Sequence, residues 1–235
     1  MFARPVHLAG IFIYQLPSCY GLSFRLICKQ KEYEMNEDSL ETDTEIDDFN
    51  VGEEYPTLML VARFSSMISE TKWFHKIGLE LTQDDIKAAR HYLDALGFPE
   101  GYPAEIMDWD DAIACLETND WNSPAWEAEE QLAASLINSA LEFIEEDVLE
   151  VALTNVTIKA SEYITNAVEN ASMQWGIDDE EILRAAIGQA VQTCYQAALV
   201  IAADEEENHP FAQKFRLYEN GHWPLGVAGT TLNIF

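Results

Sequence analysis

Between Arg90 and Lys159 the chain runs without a single Lys or Arg, yet it carries 16 Asp and Glu residues. Such an interval folds only if its carboxylates stay in water while an apolar face is buried, because nothing inside it can neutralise them. A helix meets that demand most simply, with a dry stripe recurring every three to four residues. The rest of the sequence supplies the apolar material: 48% of the 235 residues are hydrophobic and 11% aromatic. Disordered chains combine high charge with few such residues, so most of this one is expected to fold.

The whole chain holds 13 Lys and Arg against 42 Asp and Glu, a formal net charge of −29. Neutralising phosphates needs bases gathered on one face, so nucleic acid is not an expected partner. An anionic membrane surface is disfavoured on the same ground. No run reaches the roughly 18 apolar residues of a spanning helix. Cys19, Cys28, Cys115 and Cys194 form no C-x-x-C pair. Cys115 and Cys194 lie in helix-like patterns and read as buried small hydrophobes, which fits a reducing, cytoplasmic setting.

Charge divides the chain. Residues 1–34 hold Arg4, Arg25, Lys29 and Lys31 against Glu32 and Glu34, a net +2, whereas Met35 to Tyr55 carries nine acids and no base. The first stretch reads either as a signal peptide, with Arg4 before a short apolar run and Leu16-Pro17-Ser18-Cys19 near a cleavage-like site, or as an extension upstream of a working start at Met35. The second reading is preferred, since Pro17 and the short run fit a signal poorly. Residues 35–54 form an acidic leader expected to be disordered. Its Asp43, Glu45 and Asp47 are spaced as in a calcium loop, but Asp48 stands where that loop needs glycine.

From Tyr55 the spacing is helical. Leu58, Leu60, Val61, Phe64, Met67 and Ile68 share one face behind Pro56. Thr82 and Asp85 make a capping box, and Gly97 with Pro99 closes the helix they open. Phe98 to Pro103 is turn-rich, and Ala104 to Leu116 holds a short helix. Ser123-Pro124 starts a long helix whose apolar face runs to Phe143 and Ile144, with Val148 and Leu149 beyond. Val151 to Trp175 stays helical, with a break possible at the β-branched Thr154-Asn155-Val156-Thr157, and Gly176 closes it. A last helix opens at Asp178 and runs to Ile201 on a stripe of alanines. After Pro210 the residues look strand-like, with Asn220-Gly221 as the turn pair of a hairpin. The expected fold is a mainly α multi-helix bundle over 55–209, with a small C-terminal β-hairpin over 210–235 packed on it.

No P-loop, G-x-S-x-G or dinucleotide glycine pattern is present, and no residue is assigned a catalytic role, a metal or a cofactor. His7, His75, His91, His209 and His222 are far apart in sequence. A di-iron bundle needs two Glu-x-x-His units, and only Glu206 to His209 provides one. The candidate binding residues are therefore the acids of the base-free interval: Asp108, Asp110, Asp111, Glu142, Glu145, Glu146, Asp147 and Glu150. On one helix Glu142, Glu146 and Glu150 fall four apart and repel each other, a face that strong packing elsewhere or a cation would have to sustain. A basic protein gains association rate and selectivity from such a field. Trp126 is added as an anchor, and Trp109, Trp121, Trp175 and Trp223 are further aromatic candidates, although core packing is the commoner fate of tryptophan.

The expected function is a non-enzymatic acidic interaction module for a basic partner, an inhibitor or immunity-type protein in its sharpest form, with DNA mimicry as a relative. Its oligomeric state is not legible. The alternative is a divalent-metal-dependent helical hydrolase acting on nucleotides, in which Glu142, Glu145, Glu146 and Glu150 would work with the acids at 178–181. The plainest alternative is a solvated acidic surface.

Overall fold

The computed structural model describes residues 54–118 and 123–235. The extension at 1–34, nearly all of the leader at 35–54, Cys19, Cys28 and Trp121 lie outside the described residues. Within them the chain is mainly α, with seven helices and one small sheet.

Helix α1 (Pro56–Met67) buries Leu58, Val61 and Phe64 behind its first-turn proline, whereas Leu60 and Met67, expected on the same face, are turned away from it and exposed. A single 3-10 turn, Ile68–Glu70, follows. Helix α2 (Gln83–Ala95) opens on the expected capping box, in which the Thr82 hydroxyl accepts from the Asp85 N–H and the Asp85 carboxylate accepts from the Thr82 N–H. Gly97, at φ 88°, turns the chain out of α2, and the Phe98 N–H closes back on the Leu93 carbonyl.

The turn-rich segment predicted next contains a strand. β1 (Tyr102–Glu105) is followed by α3 (Trp109–Glu117), which begins later than expected because Asp108 is its N-cap. Helix α4 (Pro124–Ala140) starts at Ser123-Pro124 as predicted but stops at Ala140. The break expected at 154–157 falls instead at 141–145, and α5 (Glu146–Trp175) runs 30 residues straight through the β-branched stretch. Val156 is buried there, and its packing outweighs a weak propensity penalty. Gly176, at φ 71°, ends α5 as expected.

Helix α6 (Glu180–Ala202) is capped by Asp179, whose carboxylate accepts from Glu181 and Ile182. Its buried alanines 186, 190, 197, 198 and 202 let neighbours approach closely, and α1, α4, α5 and α7 all pack on it. By length and composition α6 could cross a membrane, but over half of its most apolar window is buried in this fold.

The segment read as the first arm of a hairpin is helix α7 (Pro210–Glu219). It lies between α2 and α6 and touches the sheet, so Phe211, Gln213, Phe215, Leu217 and Tyr218 are all buried and the polar face is narrowed to the edge bearing Arg216 and Glu219. The hairpin itself is β2 (Pro224–Ala228) and β3 (Thr231–Ile234), turning at Gly229-Thr230 rather than at Asn220-Gly221. The sheet order is β1-β3-β2, with β3 antiparallel to β2 and parallel to β1 in the register Tyr102 to Thr231 through Glu105 to Ile234. Gly101 makes this docking possible, since a Cβ there would stand 2.7 Å from the Thr230 carbonyl oxygen. The sheet thus ties residues near 100 to the chain's last residues and carries Phe235 to the mouth of a cleft.

Candidate functional site

An aromatic ladder crosses the molecule from the core to that cleft. Phe64 meets Phe215 edge-on at 5.0 Å, Phe215 meets Trp73, and Trp73 meets Tyr218. Phe74 then contacts Tyr218, Trp223 and Trp175, while Trp109 closes the series against Trp175 at 4.9 Å and Phe235 at 4.8 Å. Each such pair stabilises by about 0.5–1.5 kcal/mol beyond simple burial. Phe74 has φ 60°, a left-handed backbone that a bulky side chain adopts at a cost of about 1–3 kcal/mol. Its three edge-on partners hold it there.

The cleft at the end of the ladder has a volume of about 490 Å³, within the ordinary range for ligand sites. One wall is the segment 71–79, another the C-terminal turns of α5, and the third the start of α3 with Phe235. Gly78, at φ 68°, brings that first wall close, since a Cβ on it would lie 3.1 Å from the Met107 carbonyl oxygen and 3.3 Å from the Phe235 ring. Trp109 and Trp175 are half-buried in the lining, and Leu79 and Met107 are exposed at 55% and 53%. Exposed large side chains at the edge of an aromatic cleft mark contact surface. On α5 the carboxamides of Asn170 and Gln174, one turn apart, also line it and make no hydrogen bond among the described residues. His75 is the one titratable side chain in the lining.

Acids flank this cleft closely in sequence. Asp108, Asp110 and Asp111 surround Trp109, and Asp178, Asp179, Glu180 and Glu181 begin three residues past Trp175. All seven are exposed. Arg184 pairs with Glu180 at 3.6 Å, and it is the single base within that second group's first turns.

The other predicted acids lie elsewhere. Trp109 sits against Trp175 at the C-terminal end of α5, whereas Glu145, Glu146 and Asp147 cap the N-terminal end of that helix, about 45 Å away for 30 residues at 1.5 Å each. The single acidic face expected from Glu142, Glu146 and Glu150 does not exist. Glu142 is in the turn after α4, Glu146 is the first residue of α5, and Glu150 is half-buried one turn on. Glu145, Glu146 and Asp147 occupy the position where a helix dipole favours anions, so their clustering has a local cause. The same separation keeps Glu142 to Glu150 apart from the acids at 178–181. Among the described residues no three His, Cys, Asp or Glu side chains gather to hold a metal ion. His209, of the lone Glu-x-x-His unit, N-caps α7, its Nδ1 accepting from the Phe211 N–H. Burial and the nearby His91 push its imidazole down to about 4. Trp126 is half-buried in the first turn of α4, on an element that does not line the cleft. Cys194 is buried, as expected, whereas Cys115 is only half-buried, and burial raises both thiols.

Two buried polar clusters went unread in the sequence. In one, the Glu129 carboxylate takes the Lys214 ammonium at 2.9 and 3.1 Å, the Gln196 amide at 2.8 Å and a short hydrogen bond from the Tyr92 hydroxyl. Burial works to raise the Glu129 carboxyl, but Lys214 and these donors outweigh it and hold it below the usual range. In the other, Asp85 accepts from the Thr82 hydroxyl at 2.6 Å and from the Asn220 amide at 2.6 Å, with the His222 Nε2 at 3.4 Å. Burial again opposes, yet Thr82, Asn220 and His222 bring the Asp85 carboxyl down, while burial lowers the His222 imidazole. Both clusters join α2 to α7 or to the turn that follows it. Neither opens on the cleft, and beyond the Thr82–Asp85 capping box nothing in their spacing along the chain could have announced them, since Glu129 and Lys214 are 85 residues apart and Asp85 and Asn220 135.

The chain matches no family model, no curated protein and no solved structure. Its functional reading therefore rests on this geometry.

Proposed function

We propose that the chain is a non-enzymatic interaction module for a basic protein partner, and that the partner docks at the end of the molecule bearing Trp109 and Trp175. The observation that carries this reading is an aromatic cleft whose two tryptophans have exposed acids as near chain neighbours, Asp108, Asp110 and Asp111 around Trp109 and Asp178 to Glu181 just past Trp175. Rim charges of one sign steer an oppositely charged surface and select against others, while half-buried tryptophans supply the contact area from which affinity comes. The acids at 142–150 surround the exposed Phe143 but lie at the other end of α5 from the cleft, so in this reading their charge contributes to the general field. An inhibitor or immunity-type role remains the sharpest form of the proposal, because basic grooves are the surfaces such a site complements. The nucleotide-hydrolase alternative has no ligand cluster to stand on among the described residues.

Two variants of equal net charge test the location. One carries Asp110→Asn, Asp111→Asn, Asp178→Asn and Glu181→Gln; the other carries Glu142→Gln, Glu145→Gln, Glu146→Gln and Asp147→Asn. Titrated with nona-lysine in 150 mM salt, the first should bind about tenfold more weakly than the second, because close charges act within the Debye length of about 8 Å and distant ones do not. Equal affinities would show that only total charge matters and would remove the proposed site.

A further inference from the structure

We infer that the cleft receives an arginine side chain of the basic partner, an inference that rests on the docking site proposed above and names what enters it. The cleft sets a problem that the two cationic side chains solve differently. It offers Trp109 and Trp175 together with two carboxamides, and no Asp or Glu side chain lines it. An ammonium is compact and strongly hydrated, and inside this lining it would exchange its water for aromatic surface without an Asp or Glu side chain to receive its protons. A guanidinium is planar and weakly hydrated. It stacks on an indole while its in-plane N–H groups donate outward.

The acceptors for those donors are in place. Asn170 and Gln174 stand one turn apart on the same face of α5, both exposed and both without a hydrogen bond among the described residues. Their side-chain oxygens lie on the wall that ends in Trp175. The seven flanking acids supply the long-range attraction without occupying the cleft. Lys72 and Lys76 belong to the opposite wall segment but do not line the cleft, and the Lys76 backbone N–H is engaged by the Gly221 carbonyl at 2.8 Å. An arginine thus enters along its aliphatic stem past Leu79 and Met107, stacks on the tryptophan pair and is fixed by the carboxamides.

The test compares nona-arginine with nona-lysine, peptides of equal charge, on the full chain in 150 mM salt. Nona-arginine should bind about fivefold more tightly, the increment expected of one stacked cation. Trp109→Ala should abolish that preference and leave the weaker, salt-dependent binding of both peptides in place. Because Trp109 also packs on Phe235, the exposed pair Asn170→Leu with Gln174→Leu provides an independent reading and should bring nona-arginine down to the nona-lysine level without lowering the melting temperature. Equal affinities of the two peptides for the unmodified chain would overturn the arginine assignment while leaving the acidic docking site standing, as would a preference that survives both variants. Absence of binding by either peptide even at 20 mM salt would overturn the docking site itself.

Discussion

Glu129 and Asp85 are carboxylates inside the fold; Asp108, Asp110 and Asp111 are carboxylates outside it, and the two sets are held by opposite means. Each inner carboxylate has named donors from other elements, Glu129 from Lys214, Gln196 and Tyr92, and Asp85 from Asn220 beside the Thr82 cap of its own helix. The outer ones touch their own helix start or water. In a chain of net charge −29 the difference separates what the fold uses from what a partner can meet. Inner carboxylates should govern stability and leave binding alone. Outer ones should do the reverse.

The largest expected effect is on the inner pair. Lys214→Met strands the Glu129 carboxylate among buried groups and should reduce unfolding free energy by about 3–5 kcal/mol. The double variant Glu129→Leu with Lys214→Met should lose less than that single change, because no unpaired charge remains. Urea unfolding of the two proteins decides this, and a double variant weaker than the single would show that Tyr92 and Gln196 need the carboxylate more than the lysine does. Asp85→Ala removes a capping box and the acceptor of Asn220 together, and should cost about 1–3 kcal/mol in the same assay.

A smaller, pH-dependent effect comes from His209. Its imidazole is pushed down to about 4 from an ordinary 6.5, and its neutral Nδ1 is needed as the acceptor that caps α7. Between those values the unfolded chain binds a proton that the folded chain refuses, so this contribution is fully present above pH 6.5 and is lost as the pH falls toward 4. His222, lowered by burial, acts with the same sign. His209→Ser keeps a capping oxygen without the titration, so its melting temperature should fall less than the parent's between pH 7 and pH 4.5. Parallel curves would mean that His209 titrates normally.

The smallest effect belongs to the outer acids. With Glu145, Glu146 and Asp147 replaced by Gln, Gln and Asn, α5 loses the anions at its N-terminus, and the melting temperature should drop by about 1–3 °C. The sign is informative. Were these residues a self-repelling face, as their spacing in the sequence suggests, neutralising them would stabilise the protein.

Punctuation was legible where one residue type has one physical use. Thr82 with Asp85, Ser123 with Pro124, Gly97 and Gly176 each mark a helix end that the structure keeps. Where periodicity carried the argument it failed in identifiable ways. Helix α7 is buried over most of its circumference, so its polar stripe is narrow, with Arg216 its exposed member. β1 is four residues long and contains Pro103, and it exists because β3 offers it an edge. The turn at 141–145 interrupts a sequence, Leu-Glu-Phe-Ile-Glu, that has good helical spacing, and Phe143 there ends up 47% exposed. The cleft's tryptophans were visible in the sequence, but not their meeting. Trp109 and Trp175 were recognisable as anchors, whereas the meeting of Trp175 with Phe74 and of Trp109 with Phe235 depends on contacts between residues about 100 or more positions apart, a distance over which no local pattern extends.

The central claim is that a basic partner meets the Trp109–Trp175 end of the molecule. It is tested most directly by following the indole N–H resonances of the full chain while nona-arginine is added. Trp73 and Trp223 donate to the Ile68 carbonyl and the Gln189 side chain inside the fold, so their signals should stay still. Those of Trp109 and Trp175 should shift together and saturate with the binding curve. A titration that moves Trp126, or that moves no indole while the peptide binds, would contradict the account.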